Sequence, residues 1–151
     1  MQNLLRTHAQ DPDFIQLVTY LDAELAERDG AEHHFYAPFN KIDKIPYVVV
    51  CYDGPQAVAC GALRPFDKEA IEVKRMFCQP AFRGRGLARQ VLAELEAWAF
   101  ELGFRRCVLE TGQKQPEAIQ LYQKSGYQRV ANYDPYIGVE NSVCFEKILT
   151  S

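Results

Sequence analysis

Apolar residues recur with a helical period in two stretches of the chain. Residues 11–30 place their apolar side chains on one stripe, with Asp11 as a cap and Pro12 in the first turn, which predicts an amphipathic helix. In the second stretch, apolar residues recur at steps of four, four, three and four before Gly103; these are Leu87, Val91, Leu95, Trp98 and Leu102. Each helix is therefore expected to have one buried face and one face in water.

Shorter apolar runs in the first half of the chain have the pattern of β-strands. A short extended segment comes first, at residues 3–7. Two strands that flank a tight turn predict a β-hairpin, and a third strand alternates after them; they cover residues 47–54, 57–66 and 70–78. Residues 31–46 carry aromatics and two prolines without a sustained period, which predicts an irregular segment or a short helix that could wall a substrate site.

The second half of the chain alternates strands and helices. After the long helix, a strand, a shorter helix and two last strands are predicted at residues 106–111, 115–126, 127–130 and 142–149. The order strand, helix, strand demands a parallel crossover, whereas the first half is hairpin-like. The sheet is therefore predicted to be mixed, in an α/β (α+β) fold, and residues 1–151 are predicted to form a single domain.

Composition and charge exclude several classes of protein. Seventeen Lys and Arg residues against twenty Asp and Glu residues give a net charge of −3, which argues against a general nucleic-acid-binding surface. No apolar run approaches the roughly 20 residues that cross a bilayer, and the amino terminus lacks the apolar core of a secretory signal, so we expect a cytoplasmic protein with no membrane partner. The five cysteines never form C-x-x-C, so we expect reduced, buried thiols and no metal site.

Residues 79–92, QPAFRGRGLARQVL, place arginines around two glycines where the long helix opens. A helix that begins at about Gly84 leaves several amide groups without intrahelical partners, at the positive end of the helix dipole. Gly84 and Gly86 let a phosphate approach the backbone closely. Three arginines can add charge-assisted hydrogen bonds from the rim: Arg83, Arg85 and Arg89. The stretch therefore predicts an anion site, with a solvated helix terminus as the alternative.

The same stretch does not match two known phosphate-binding loops, but it matches a third. The chain has no G-x-x-x-x-G-K-[ST], and Arg89 occupies the position of the third glycine in the dinucleotide fingerprint. By contrast, RGRGLA matches the R/Q-x-x-G-x-G/A signature of the Gcn5-related N-acetyltransferase (GNAT) family at Arg83, Gly86 and Ala88. Residues 71–130 resemble that family's central strand, pyrophosphate helix, partner strand and second cofactor helix, and the preceding hairpin and first helix also fit.

The resemblance implies a GNAT-type fold and an acetyl-CoA site. The fold is a mixed, mostly antiparallel sheet with a central parallel pair splayed by a bulge, flanked by helices. The pantetheine arm would fill the gap between the strands at 71–78 and 106–111, and the diphosphate would lie on the amides of residues 83–88. Gln115 stands where many relatives have asparagine, and its amide can also donate to the cofactor. The implied cofactor-binding residues are Met76, Phe77, Cys78, Arg83, Gly84, Arg85, Gly86, Leu87, Ala88, Gln115 and Tyr122.

Acetyl transfer needs a deprotonated amine, a donor for the thioester oxygen and a proton for the departing thiolate. The resemblance implies Tyr122 as the general acid, with a plain core aromatic as the alternative. Glu72 is the first candidate for the base, and a structural ion pair with a nearby Lys or Arg is the alternative. Glu110 is the reserve base, and a water chain without a dedicated base stays open. Strand alternation predicts two faces, one with Glu72, Lys74 and Met76 and the other with Val73, Arg75 and Phe77.

Two further features of the sequence bear on the site. Tyr133 and Tyr136, in the loop at residues 131–141, could close an acceptor pocket or anchor a rigid loop. Cys78 has no visible histidine and acid to activate its thiol, so we expect it to pack in the core rather than to act as a nucleophile.

The predicted function is an acetyl-CoA-dependent N-acetyltransferase that moves an acetyl group to a primary amine of a small molecule or peptide, by direct attack in a ternary complex. The alternative is a non-catalytic acyl-CoA-binding or sensing module of the same fold, which needs only the glycine loop and the strand gap. These motifs do not encode the acceptor, the acyl-chain preference or the oligomeric state, and the resemblance is compatible with a homodimer.

Overall fold

One sheet runs through the described part of the chain, residues 2–29 and 45–150 of the computed structural model. Its seven strands are β1 (Gln2–Thr7), β2 (Tyr47–Asp53), β3 (Gln56–Pro65), β4 (Ala70–Cys78), β5 (Arg106–Gly112), β6 (Gln128–Val130) and β7 (Ser142–Ile148). Their order is β1-β2-β3-β4-β5-β7-β6, and β4 with β5 is the parallel pair among otherwise antiparallel neighbours. The sequence prediction of a mixed, mostly antiparallel sheet is confirmed.

Three α-helices belong to the same described residues: α1 (Pro12–Asp29), α2 (Leu87–Glu101) and α3 (Pro116–Lys124). Asp11 caps α1 as predicted, because its Oδ1 accepts a hydrogen bond from the Asp13 amide at 2.9 Å. The long helix begins later than the predicted Gly84. A 3-10 turn at Pro80–Phe82 comes first, and Gly86, at φ 76°, lies in the left-handed region, where an α-helix cannot continue. The segment at 31–46 lies outside the described residues, except for Ile45 and Pro46.

A hydrophobic core lies on each face of the sheet. α2 packs its apolar stripe on one face, with Leu87, Val91, Leu92, Leu95 and Ala99 fully buried. α1 packs on the other face through Phe14, Leu17, Val18 and Leu21. β2 is apolar along its length because alternate residues pack into the two cores. Val49 lies on the α2 side, and Val48 and Val50 lie on the α1 side. Buried on both faces, the central strands fix the positions of the residues at their ends.

A bulge interrupts β4 and parts it from β5. In the register with β3, Cys60 lies opposite Phe77 and Ala62 opposite Lys74, so Gly61 alone faces two residues, Arg75 and Met76. Arg75 has φ 59°, which is uncommon for a residue with a side chain. The parallel pairing with β5 covers Ala70, Ile71 and Glu72 and stops at the Glu72–Val108 pair, although both strands continue. The predicted splayed central pair is therefore present.

The bulge changes which side chains share a face of β4. Val73 and Met76 both contact the core under α2, whereas Phe77 belongs to the core under α1. The predicted alternation, which grouped Met76 with Glu72 and Lys74, and Phe77 with Val73, was wrong. The extra residue at the bulge shifts the alternation by one position, so the face that a side chain occupies reverses after it.

All five cysteines are free and buried, as the sequence predicted. Burial raises the pKa of the Cys60 and Cys107 thiols to about 12 and that of Cys144 to about 11, and it also raises the pKa of Cys78. These thiols are therefore protonated and poor nucleophiles at neutral pH. Within residues 2–29 and 45–150, no helix has the length and apolar character to cross a membrane, and no cluster of His, Cys, Asp and Glu is arranged to hold a metal ion.

A substitution at Gly61 tests how closely α2 packs against the bulge. A Cβ at this position would lie 2.8 Å from Leu95 Cδ1 and 3.0 Å from Val91 Cγ1, and it would also collide with Met76 Sδ. We expect Gly61→Ala to lower the free energy of unfolding by about 1–3 kcal/mol, because overpacking forces neighbours out of place. Urea denaturation measures this. Gln56→Ala, at an exposed position of the same strand, is the control and should change stability by less than about 0.5 kcal/mol. Equal stability of the two variants would contradict the packing described here.

Candidate active site

The gap between β4 and β5 opens into a groove of about 250 Å³, and α1 and α3 contribute its side walls. It is lined by these predicted site residues: Glu72, Met76, Phe77, Cys78, Arg83, Ala88, Gln115 and Tyr122. The reserve base Glu110 and the loop residue Tyr136 also line it. The fold therefore brings together residues from β4, β5, α3, the loop before α2 and the loop at 131–141, which lie far apart in the sequence.

The loop before α2 exposes backbone amides at one end of this groove. Gly84 and Gly86 have φ 83° and 76°, and a Cβ built at either position would meet nothing within 4 Å. The first hydrogen bond of the helix runs from the Gln90 amide to the Gly86 carbonyl, at 3.1 Å. The amides of Leu87 and Ala88 precede it, so they have no partner inside the helix and carry the positive end of its dipole. An anion can approach this backbone without meeting a side chain.

The three arginines around these glycines do not all face the loop amides, although the sequence suggested that they would. Arg83 donates from Nε to the Cys78 carbonyl at 2.8 Å and from Nη2 to Glu24 of α1 at 2.9 Å. Arg89 reaches the Lys124 carbonyl at the end of α3, at 3.4 Å. The guanidinium of Arg85 lies over the Phe82 ring, 5.1 Å from its centroid. Arg83 and Arg89 therefore make hydrogen bonds within the protein, because carbonyl and carboxylate oxygens lie within their reach.

A chain of ion pairs joins the walls of the groove. Arg28 of α1 contacts Glu117 of α3 with Nη2 at 2.6 Å and Nη1 at 3.1 Å, and it also pairs with Glu24 at 3.0 Å. Glu24 pairs in turn with Arg83. The Arg28 guanidinium holds the pKa of Glu117 below its usual range through this hydrogen bond. Sequence reasoning missed these pairs, because Arg28 and Glu117 lie 89 positions apart and no local pattern connects them.

Tyr122 projects from α3 into the groove with its ring held in the core. Its side chain is 6% exposed. Its ring packs edge-on against Tyr127, with centroids 5.8 Å apart, and in a tilted orientation against Phe145, with centroids 6.2 Å apart. Burial raises the pKa of the phenol above its usual value, and the negative charge of Glu110 raises it further. The residue is thus both a packed aromatic and a protonated hydroxyl at the groove.

Glu72 is the buried carboxylate of the groove, at 2% exposed. Its Oε1 accepts a hydrogen bond from Arg64 Nη2 at 2.9 Å, and its Oε2 accepts one from the Tyr133 hydroxyl at 2.8 Å. Arg64 lies directly opposite on β3. Burial, reinforced by the Glu72 charge, raises the pKa of Tyr133, so this phenol stays a donor. The ion pair that the sequence left as an alternative is present, and it holds Glu72 in place at the groove.

Three further residues line the same groove. Glu110 accepts a hydrogen bond from Ser142 Oγ at 2.7 Å. Lys74 is 8% exposed, and burial lowers its pKa below the usual value. Tyr136 is buried and packs edge-on against Tyr133, with centroids 5.9 Å apart.

Solved structures share this architecture. A crystal structure from Klebsiella pneumoniae subsp. pneumoniae MGH 78578, provisionally named an acyl-CoA N-acyltransferase, superposes with a TM-score of 0.83 over 99% of both chains and is 30% identical in sequence. A GNAT family acetyltransferase from Elizabethkingia anophelis, solved with acetyl-CoA bound, superposes with a TM-score of 0.71 over 98% of both chains. At 17% identity, this second likeness concerns the fold alone.

Sequence comparison gives the same family. The sequence profile of the acetyltransferase (GNAT) family matches residues 8–127. A protein of Azospirillum brasilense named IAA acetyltransferase is 34% identical over 139 residues, which cover 89% of this chain and 90% of that protein. YjgM of Escherichia coli (strain K12), named as an uncharacterized N-acetyltransferase, is 37% identical over 87 residues, 56% of this chain and 52% of that protein. The chain therefore belongs to the acetyltransferase (GNAT) family.

Proposed function

We propose that this chain is an acetyl-CoA-dependent N-acetyltransferase that acts on a primary amine. The observation that carries the proposal is the gap between β4 and β5. The groove at this gap is lined by the buried groups Glu72 and Tyr122, and also by Arg83 and Ala88, which flank the open glycine loop before α2. An extended thioester ligand with a diphosphate needs this combination. The names of the relatives, and the acetyl-CoA bound in the Elizabethkingia anophelis structure, support the choice of acetyl-CoA.

The cofactor would be held mainly by backbone groups. Met76, Phe77 and Cys78 follow the bulge, where β4 no longer pairs with β5, so their amides and carbonyls on that side can bind the pantetheine arm. The amides of residues 85–88 would bind the diphosphate, since the backbone there is open to an approaching anion. Gln115, in the wall formed by the start of α3, can donate its side-chain amide to the arm.

The chemistry proceeds by direct attack. The neutral amine forms a C–N bond with the thioester carbonyl carbon, and a backbone amide near Phe77 can donate to the oxygen as negative charge develops there. The C–S bond then breaks, and Tyr122 gives its proton to the departing sulfur. The attacking nitrogen loses a proton as the amide forms, and this proton restores the Tyr122 phenol. Because burial keeps this phenol protonated, it can serve as an acid at neutral pH.

Glu72 is the proposed partner of the incoming ammonium and takes its proton, directly or through water. Its two oxygens already accept hydrogen bonds from Arg64 and Tyr133, so it is held firmly in position. Glu110 is the second carboxylate of the groove. A binding module would need only the loop and the gap, so these buried ionisable groups favour an enzyme.

Gly86→Val tests whether the loop before α2 binds the diphosphate of acetyl-CoA. Acetyl-CoA at 100 times its dissociation constant should stabilise the parent protein by about 2.7 kcal/mol, a shift of several degrees in thermal melting. Gly86→Val should abolish the shift, because a branched side chain would stand in front of the helix amides and strain a backbone at φ 76°. Gly103→Val is the matched control at the opposite end of α2. It has φ 96° and equally open surroundings, so it carries similar strain and should keep the shift. An unaltered shift in Gly86→Val would contradict the proposed site.

Tyr122→Phe tests the proposed role of Tyr122 as the general acid. This variant should keep the acetyl-CoA melting shift and lower kcat by about 10²-fold or more in an assay of thiol release with a panel of amines. Tyr127→Phe is the control, because this neighbouring buried phenol is absent from the groove lining. Since burial raises the pKa of Tyr122, the parent kcat should not fall as the pH rises from about 8 to about 10. If Tyr122→Phe turned over at the parent rate, another group would have to protonate the sulfur.

A further inference from the structure

Tyr133 connects the loop at 131–141 to Glu72, at the point where β4 and β5 part. Glu72 is the last residue of β4 that pairs with β5, opposite Val108. The Tyr133 hydroxyl donates to Glu72 Oε2 at 2.8 Å, whereas Tyr133 itself is absent from the lining of the groove. An effect of this phenol on a bound acceptor therefore has to act through the carboxylate of Glu72.

The ring of Tyr133 is held from two sides. Phe66, in the turn between β3 and β4, packs edge-on against it, with centroids 4.9 Å apart. Tyr136, in the same loop as Tyr133, packs edge-on with centroids 5.9 Å apart. These ring contacts fix the place of the hydroxyl, because a packed aromatic ring has few orientations open to it.

The loop that carries Tyr133 is braced by the preceding residue, Asn132. The side-chain nitrogen of Asn132 donates to three backbone carbonyls, those of Tyr136 at 3.1 Å, Val139 at 3.3 Å and Ser142 at 3.1 Å. Ser142 is the first residue of β7, so these hydrogen bonds tie the loop to the sheet. The phenol of Tyr133 is thus presented to Glu72 from a fixed backbone.

Two donors from separate elements orient the Glu72 carboxylate. Arg64 of β3 donates to Oε1 at 2.9 Å, and Tyr133 donates to Oε2. The carboxylate cannot rotate about its terminal bond without breaking one of these hydrogen bonds. A carboxylate has about four lone-pair sites, so two donors orient the group without exhausting its capacity to accept a proton. Arg64 also brings a charge, whereas Tyr133 is neutral and contributes orientation alone.

We propose that Tyr133 is a positioning residue, whose hydroxyl holds Glu72 in the orientation in which this carboxylate takes a proton from the acceptor ammonium. The proposal rests on the N-acetyltransferase function above and gives the loop at 131–141 a part in it. Proton transfer requires an approach of about 2.6–3.2 Å between the heavy atoms, so a small displacement of Glu72 lowers the rate. Binding of acetyl-CoA does not depend on that orientation.

Tyr133→Phe tests the proposal. The variant keeps the ring and its packing against Phe66 and Tyr136, and it removes only the donor to Glu72. With the preferred acceptor from the panel of amines, kcat for thiol release should fall at least about 10-fold, while KM for acetyl-CoA and the acetyl-CoA melting shift stay at the parent values.

Tyr52→Phe is the matched control. The Tyr52 hydroxyl donates to Asp13 Oδ2 at 2.7 Å, between β2 and α1, and neither residue lines the groove. Both variants therefore lose one hydrogen bond from a phenol to a carboxylate, and we expect similar small decreases in melting temperature. Tyr52→Phe should keep the parent kcat.

A double-mutant cycle with Glu72→Gln asks whether Tyr133 acts through Glu72. Glu72→Gln should itself lower kcat, because an amide cannot take the proton. Once the carboxylate is absent, adding Tyr133→Phe should lower kcat by less than about 2-fold, instead of at least about 10-fold.

The pH dependence of the loss provides a second readout that a merely structural role would not change. An alkylamine has a pKa of about 10, so near this pH much of the acceptor arrives neutral and needs no base. The ratio of kcat/KM between parent and Tyr133→Phe should therefore fall from at least about 10 at neutral pH toward about 1 near pH 10. The other charged and titratable side chains around Glu72 are common to both proteins: Arg64, Lys74, Arg75, Glu110, Tyr136 and Cys144.

The outcomes separate this proposal from the proposed function. A parent-like or higher kcat in Tyr133→Phe overturns the positioning role, and so does an equal loss of kcat in Tyr52→Phe. A full further loss in the Glu72→Gln background, or a loss that stays constant with pH, shows that Tyr133 acts independently of Glu72 and also overturns it. Each of these results leaves an N-acetyltransferase. Binding of acetyl-CoA without acetylation of any amine by the parent overturns the proposed function itself.

Discussion

The parting of β4 from β5 is the constraint on which the rest of the molecule depends. Parallel neighbours in the middle of a sheet would normally pair along their length, because unpaired backbone groups inside a protein are costly. Here the pairing ends at Glu72 and Val108, and the bulge at Arg75 turns the rest of β4 away. A residue with a side chain at φ 59° costs of order 1–3 kcal/mol, and the ion pair between Arg75 and Asp22 contributes to holding it. The fold thus keeps a strained strand that a ligand can complete.

The helices and loops are arranged around that gap. α2 begins at Gly86, where the chain leaving β4 exposes its amides, so the end of the gap is also the start of a helix dipole. α1 and α3 wall the groove and are joined by Arg28 and Glu117. At the opposite end, the loop at 131–141 positions Tyr133 against Glu72. In the proposed reaction, the backbone binds the cofactor, and the few buried side chains receive the acceptor and move its protons.

Much of this architecture is predictable from local pattern, and the failures have identifiable causes. The strands, the long helix and the glycine loop before α2 follow from periodicity, glycines and a signature that lies within six residues. The face of β4 on which each side chain lies does not follow from local pattern. A bulge at a non-glycine residue leaves no mark in the sequence, and it reverses the alternation after Arg75. The partners of Glu72 were equally hidden. Tyr133 is 61 positions away, and Arg64 is one of several nearby cations that alternation alone cannot choose between. Contacts of this kind depend on tertiary packing.

Amide hydrogen exchange with and without acetyl-CoA tests the central claim most directly, because it reports on individual backbone groups in the intact protein. If the thioester arm completes the gap and the diphosphate lies on the helix amides, exchange should slow at residues 76–78 and 85–88, while β1 and β2, on the far side of the sheet, stay unchanged. Unchanged exchange in both segments, with protection appearing elsewhere at saturating ligand, would contradict the account.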